Sequence, residues 1–143
     1  VTAQRSRYKR AEAWTEVDGK ELTTRRMMRT PDFYGYFTIT SAPAKNLDLS
    51  LSGTYTGSMI VPHYAGYIDK DRMETTSDFF DLNLKVGYDI PLFKTVTLQV
   101  NAGVKNIFNA YQDDFDQGEN RDAGYIYGPG MPRSYFVGCK ISY

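Results

Sequence analysis

The chain of 143 residues has little of the chemistry that most enzymes and metal sites use. It contains one cysteine, Cys139, and one histidine, His63. A single cysteine excludes an internal disulfide and a zinc site built from cysteines. The two residues are far apart, and no nucleophile elbow, phosphate loop or zinc-protease pattern occurs. The sequence therefore predicts that the chain is not an enzyme and holds no metal or cofactor.

Excess charge and long apolar runs are also missing. Seventeen basic and 17 acidic side chains give a formal net charge of zero, so no electrostatic footprint predicts a nucleic-acid partner. No stretch reaches the roughly 18 apolar residues of a transmembrane helix. The first residues, VTAQRSRYKR, hold neither an initiator Met nor an apolar export segment. We expect the chain to be part of a larger protein.

What the sequence does contain is an apolar period of two. In DLNLKVGYDI, residues 81–90, every second side chain is apolar, which is typical of a strand with one polar and one apolar face. No segment of comparable length has a helical period, so the chain is predicted to be all-β. Five strands are predicted at 33–41, 46–56, 81–90, 96–106 and 133–143, with a sixth over 1–8.

The predicted connections alternate in length. APAKN, residues 42–46, and PLFK, residues 91–94, have hairpin length. Three connections are long, at about 9–32, 59–78 and 108–132. In an antiparallel up-and-down meander of five to six long strands, all short turns would lie at one end and all long loops at the other. Short turns, long extracellular loops, strands of about 9–11 residues and aromatic strand ends are typical of transmembrane β-barrels.

The alternation alone leaves other β-proteins open, because it does not say which face is buried. A soluble β-barrel that carries a small ligand, or a surface adhesion or structural β-protein, would show the same pattern. Six side chains discriminate between these alternatives. They would face lipid in a membrane barrel and converge on an internal core in a soluble one: Leu82, Leu84, Val86, Leu98, Val100 and Val104.

The last 43 residues, 101–143, carry a family resemblance. They include VKNIFN at 104–109, then Tyr111, a polar loop, YGPGMPR at 127–133 and a final strand that ends on an aromatic residue. In this order and spacing they resemble the C-terminal end of a TonB-dependent outer-membrane receptor. The stretch SLSGTYTGSMIVPHYAGY, residues 50–67, also resembles members of that family.

The resemblance implies a bacterial outer-membrane barrel of about 22 strands with a plug domain in its lumen. It implies TonB-energised uptake of a scarce nutrient: a metal chelate such as a siderophore or haem, cobalamin, or a glycan. Residues 1–143 would form the last five to six strands with three extracellular loops, and the plug would be absent. The implied partners are outer-membrane lipid, the rest of the barrel and plug, and TonB through that plug. By itself the chain would not transport, and we expect copies of it to associate through open strand edges.

The final stretch, SYFVGCKISY, places Cys139 among alternating apolar residues, where it needs no redox role. The resemblance implies that this strand is the signal by which the barrel-assembly machinery recognises the protein. Gly138, Ile141 and Tyr143 fit the glycine, apolar and terminal aromatic places of that signal. Phe136 departs from it, because both the signal and the alternation favour a polar residue there.

Three residues in VPHYAGY, residues 61–67, are candidate ligand contacts. Some receptors of the family hold haem or metal chelates through loop histidines or tyrosines. The resemblance therefore makes His63, Tyr64 and Tyr67 a candidate cluster, with an ordinary loop histidine as the alternative.

Two charged stretches are predicted to be solvated. QDDFDQGENRD, residues 112–122, has acidic spacing near that of a calcium loop but lacks the closing glutamate. The basic stretches 5–10 and 25–26 could meet anionic lipopolysaccharide, but acidic residues at 12, 16, 18 and 21 favour a loop of mixed charge.

Overall fold

The computed structural model describes all 143 residues and is built from ten strands without a helix. None of its segments is a helix long and apolar enough to cross a bilayer. The strands are β1 (Thr2–Ala3), β2 (Arg7–Val17), β3 (Lys20–Arg26), β4 (Phe33–Ala44), β5 (Leu47–Thr56), β6 (Ile60–His63), β7 (Arg72–Thr75), β8 (Phe79–Phe93), β9 (Val96–Lys105) and β10 (Ser134–Ser142). The all-β prediction is confirmed.

Six of these strands form one sheet in the order β1-β4-β5-β8-β9-β10. Its five long strands lie at all five positions where the alternation predicts them. Of the sixth strand predicted over residues 1–8, only Thr2–Ala3 pairs with this sheet, and residues 7 and 8 belong to β2. The pairs β8–β9 and β9–β10 are antiparallel. Consecutive sheet strands are neighbours, so the predicted meander is confirmed.

The two short turns are tighter than predicted. Only Lys45 and Asn46 separate β4 from β5, and only Lys94 and Thr95 separate β8 from β9. Asn46 has a φ of 64°, a left-handed conformation that asparagine tolerates in two-residue hairpins. The strands therefore extend through Pro43 and Pro91, which the sequence places in the turns.

Two of the three long connections contain hairpins of their own. The first is β2–β3, which turns at Asp18 and Gly19 with φ values of 52° and 74°. This Asp-Gly turn matches the right-handed twist of the flanking strands. The second hairpin is β6–β7, in which Ile60 lies opposite Thr75 and His63 opposite Arg72. Residues 9–32 and 59–78 are therefore more ordered than the loops predicted from the sequence.

The chain divides into two compact units. One comprises residues 1–35, 56–79 and 112–128, which include both additional hairpins. The other comprises residues 36–55, 80–111 and 129–143, which include most of the sheet. The buried apolar side chains, Ile60, Val61, Phe79 and Tyr125, all belong to the first unit. The sheet unit has no buried apolar side chain.

The register of β8, β9 and β10 separates the two faces of the sheet unit. Leu84, Val104 and Tyr135 lie in one cross-strand row, and Tyr88, Val100 and Cys139 in another. The polar face has its own rows, such as Asp89, Gln99 and Lys140. The six discriminating apolar side chains all lie in these strands, and each is half-buried rather than enclosed in a core.

Phe136 lies on the polar face, where the residue opposite it is a glycine that leaves room for its ring. It is opposite Gly103, and a Cβ at Gly103 would approach the Phe136 ring to 2.5 Å. The Lys105 ammonium is 5.8 Å from the centre of the same ring, a cation–π distance. The departure from alternation is thus accommodated by a glycine that leaves room for the ring.

Candidate functional site

The chain's only histidine lies in its most buried segment. All four residues of β6 are buried, and His63 is 3% exposed. The sequence places His63 on a loop, whereas pairing of β6 with β7 fixes it at a strand end. A polar ring at this depth requires hydrogen-bonding partners, because an unpaired polar group is costly to bury.

Asp116 is the main partner of His63. The Nε2 atom of His63 lies 3.0 and 2.9 Å from the two carboxylate oxygens of Asp116, whose side chain is also almost fully buried. Asp116 accepts a further hydrogen bond of 2.9 Å from the Asp122 N–H. Burial opposes ionisation, but the Asp122 and His63 hydrogen bonds and the His63 charge outweigh it and lower the pKa of Asp116.

The ring of Tyr125 covers the imidazole. The two ring centres are 3.7 Å apart with an interplanar angle of 4°, so the rings are stacked. The Tyr125 hydroxyl donates to Asp114 at 2.7 Å, and the Tyr127 hydroxyl donates to the other oxygen of Asp114 at 2.7 Å. His63 is thus joined through Tyr125 to a second carboxylate.

These hydroxyl bonds shift the titration of all three groups. Burial raises the pKa of Tyr125 and the Asp114 hydrogen bond raises it further. The same causes raise the pKa of Tyr127 to about 12. Burial favours a higher pKa for Asp114, but hydrogen bonds from Tyr125, Tyr127 and Gln112 outweigh burial and lower that pKa. At neutral pH the aspartate is an ionised acceptor and the tyrosines are neutral donors.

The side chain of Gln112 forms hydrogen bonds with the backbone of Tyr125 and Tyr127. Its side chain is 1% exposed, donates to the Tyr125 carbonyl at 3.1 Å and accepts from the Tyr127 N–H at 2.8 Å. We call His63, Gln112, Asp114, Asp116, Tyr125 and Tyr127 the histidine clasp. It fastens residues 112–127 to the β6–β7 hairpin.

One atom of the clasp has no hydrogen bond. His63 Nδ1 is buried and has no hydrogen bond; Glu74 Oε1 lies 3.8 Å from it, beyond hydrogen-bonding distance. Glu74 in turn accepts from Nε of Arg72. An open pocket of about 350 Å³ adjoins the clasp, and its walls include His63, Arg72, Tyr67, Asp113 and Phe115. The pocket could admit a small polar ligand.

The three predicted contact residues are only partly brought together. His63 and Tyr67 line the same pocket, and Tyr67 is 55% exposed. Tyr64, 41% exposed, instead packs near Trp14, with ring centres 6.0 Å apart. The sequence does not reveal Asp116 as the partner of His63, because 53 residues separate them and no local pattern links them.

Three aspartates of the acidic loop accept hydrogen bonds from groups within the protein. Asp114 and Asp116 both have protein donors, and Asp122 accepts from the N–H groups of Tyr64 at 2.9 Å and Gly124 at 2.7 Å. No group of three or more His, Cys, Asp or Glu side chains is arranged to hold a metal ion.

Two of the predicted assembly residues lie on the edge strand β10, and the third directly follows it. Gly138 is opposite Asn101 on the polar face, and Ile141 is opposite Leu98 on the apolar face. Tyr143 follows the last residue of the strand and is fully exposed. β10 pairs on one side only, with β9.

The polar face of the sheet unit also forms a groove of about 340 Å³. Its walls include Asp48, Lys85, Gln99 and Asn101. Gln99 donates to Asp89 at 2.8 Å, which links polar side chains of β8 and β9 along this face.

No protein-family model, curated protein or solved structure matches the chain.

Proposed function

We propose that the chain is part of the wall of a bacterial outer-membrane receptor that takes up a scarce nutrient with energy delivered by TonB. The observation that carries the proposal is the apolar face of β8, β9 and β10. The register gathers its side chains in continuous rows, yet no core encloses them. In water such a face costs free energy, whereas in a bilayer it meets hydrocarbon.

Three further features support the same proposal. The strands of 9 to 15 residues in β4, β5, β8, β9 and β10 are long enough to cross a bilayer at a tilt. Their connections are two-residue turns at one end and long segments at the other. The opposite face carries the polar groove, which would line the lumen of a barrel of about 22 strands.

In this account the histidine clasp orders the extracellular connections, and no residue of the chain is catalytic. The adjoining pocket, with His63 and Tyr67 in its wall, is the candidate place for a ligand contact. The C-terminal strand, with Gly138, Ile141 and Tyr143, would be the part that the barrel-assembly machinery recognises.

Labelling of single cysteines on whole cells tests whether the chain lies in the outer membrane. Two single-cysteine variants, C139S/K20C and C139S/K45C, place a thiol beside the β2–β3 turn and in the β4–β5 turn, at exposed lysines. In cells that export the protein, a membrane-impermeant maleimide should label K20C on intact cells. It should label K45C only after the outer membrane is permeabilised.

The same two cysteine variants distinguish the receptor from a ligand carrier and from an adhesion protein. A periplasmic ligand carrier would leave both thiols unlabelled on intact cells, and a surface adhesion protein would expose both. Uptake is tested separately in cells that make the whole receptor, by growth on iron chelates, haem, cobalamin or glycans with and without TonB. Growth on one of these that requires both the receptor and TonB supports the transport proposal, and growth on none of them contradicts it.

A further inference from the structure

The β2–β3 hairpin begins with a run of positive charge. Residues 5–10 contain Arg5, Arg7, Lys9 and Arg10, and no acidic side chain occurs before Glu12. All four cationic residues are exposed. β3 ends on two further arginines, at positions 25 and 26, which the hairpin brings back to the same end.

Basic and acidic residues are close together in the sequence, but the strand register places them at opposite ends of the β2–β3 hairpin. Arg7 lies directly opposite Arg26 at the open end of the hairpin, and Glu16 lies directly opposite Glu21 beside the turn. Like charges placed opposite each other on adjacent strands are destabilising. Glu21 and Arg26 are five positions apart along β3, a rise of about 17 Å. This exceeds the Debye length of about 8 Å at physiological salt, so the acidic end does not neutralise the basic end.

A backbone irregularity concentrates the basic residues further. Between the pairs Arg7–Arg26 and Glu12–Thr24, four residues of β2 are opposed by Arg25 alone. Arg25 Nη2 donates to the Lys9 carbonyl at 3.2 Å, which holds the bulged segment against β3. Bulges of this kind redirect side chains and are common beside functional sites.

Few acidic side chains compensate these cations. Arg26 forms an exposed ion pair with Asp32 at 3.4 Å. The remaining ion pairs of the chain join His63, Lys70 and Arg72 to acidic partners. The cationic residues that take no part in an ion pair at this end of the hairpin are Arg5, Arg7, Lys9, Arg10 and Arg25.

We propose that this basic end of the hairpin, formed by Arg5, Arg7, Lys9, Arg10 and Arg25, binds phosphate groups of an anionic lipid surface. Guanidinium groups match phosphate geometry by two parallel hydrogen bonds. Several exposed cations on one hairpin end suit a surface that presents many phosphates. The inference rests on the proposed function only for placing the hairpin beside a membrane.

Native mass spectrometry of the full chain in a zwitterionic detergent tests the proposal. Phosphatidylglycerol and phosphatidylcholine are added at equal concentration, and the lipids retained by the chain are counted. Wild type should retain phosphatidylglycerol preferentially. The variant R7Q/K9Q/R10Q should lose that preference by about tenfold or more, because each cation near an anionic surface contributes several-fold.

The control variant K45Q/K94Q/K140Q removes the same charge from the two short turns and from β10. It should keep the preference of wild type. Fluorescence of Trp14, the chain's single tryptophan, checks that the hairpin is folded in each variant. Because this experiment uses detergent and charge variants, it gives its answer whether or not the whole-cell labelling succeeds.

Three results would overturn the proposal. Equal losses in the two triple variants would indicate a general charge effect. An unchanged preference in R7Q/K9Q/R10Q would exclude the hairpin. Inorganic phosphate that displaces phosphatidylglycerol at equal phosphate concentration would show that the surface takes a free anion rather than lipid.

Discussion

Replacing His63 by alanine should open the clasp locally. The change removes both contacts of Nε2 with Asp116 and the stacked contact with Tyr125. A buried charge that loses its partner costs about 3–5 kcal/mol, and a stacked aromatic pair is worth about 0.5–1.5 kcal/mol. Because Asp116 keeps the hydrogen bond from the Asp122 N–H, we expect a loss near the lower end, about 3 kcal/mol.

Amide hydrogen exchange measures this loss of local stability at the clasp itself. The amides of Asp122 and Tyr127 donate to the side chains of Asp116 and Gln112, so they report directly on the clasp. Their exchange should accelerate by roughly 100-fold, since about 1.4 kcal/mol corresponds to a factor of ten. Amides of β9 in the sheet unit serve as an internal reference.

Two control variants sharpen the result. Tyr64→Ala changes the adjacent, exposed residue and should accelerate the same amides by no more than about fivefold. His63→Ala/Asp116→Asn should be less destabilised than His63→Ala, because a neutral amide is cheaper to leave unpaired than a carboxylate. Exchange in His63→Ala within threefold of wild type would refute the reasoning.

Three further predictions concern pH, packing and assembly. The pKa of Asp114 is lowered in the folded chain, so its contribution is complete above the ordinary aspartate value of about 3.9. Protection of the Tyr127 amide, corrected for intrinsic exchange, should therefore be constant from pH 7 to 5 and fall below about pH 4; a constant value down to pH 2 would contradict this. Gly103→Ala places a Cβ 2.4 Å from a backbone oxygen and should cost about 1–3 kcal/mol by chemical denaturation, whereas Gly138→Ala meets open space and should change stability by less than about 1 kcal/mol. Equal effects of the two substitutions would refute the packing argument. If the chain belongs to the receptor proposed above, deleting Tyr143 from that receptor should reduce its amount in outer-membrane fractions while the clasp stays protected, and unchanged assembly would contradict an assembly role.

The strands were predictable because a period of two is a local signal. The stretch 81–90 shows it throughout, and β8 covers that stretch and extends it to Phe79 and Phe93. The turn at Asp18 and Gly19 carries a hairpin signal in the sequence, but its flanking strands do not alternate cleanly, and β2 contains two register shifts. For this reason the sequence alone predicts a loop for the first long connection.

The clasp was not predictable from the sequence. The partner of His63 lies 53 residues away, and the stacked Tyr125 belongs to a segment with no regular secondary structure. Such contacts depend on how the connections fold back on each other, which no periodicity describes. The charge separation in the β2–β3 hairpin was hidden for a related reason, since only the strand register distinguishes its basic end from its acidic end.

The central claim is that the apolar face of the sheet meets lipid, and neighbouring positions on β10 test it most directly. Cys139 lies on the apolar face opposite Val100, and Lys140 lies on the polar face opposite Gln99. A nitroxide is attached to Cys139, or to position 140 in C139S/K140C, and the chain is reconstituted in phosphatidylcholine vesicles. We expect position 139 to be accessible to oxygen dissolved in the bilayer, and position 140 to a water-soluble nickel complex. Equal accessibility at both positions, or preferential access of the nickel complex to position 139, would contradict the account.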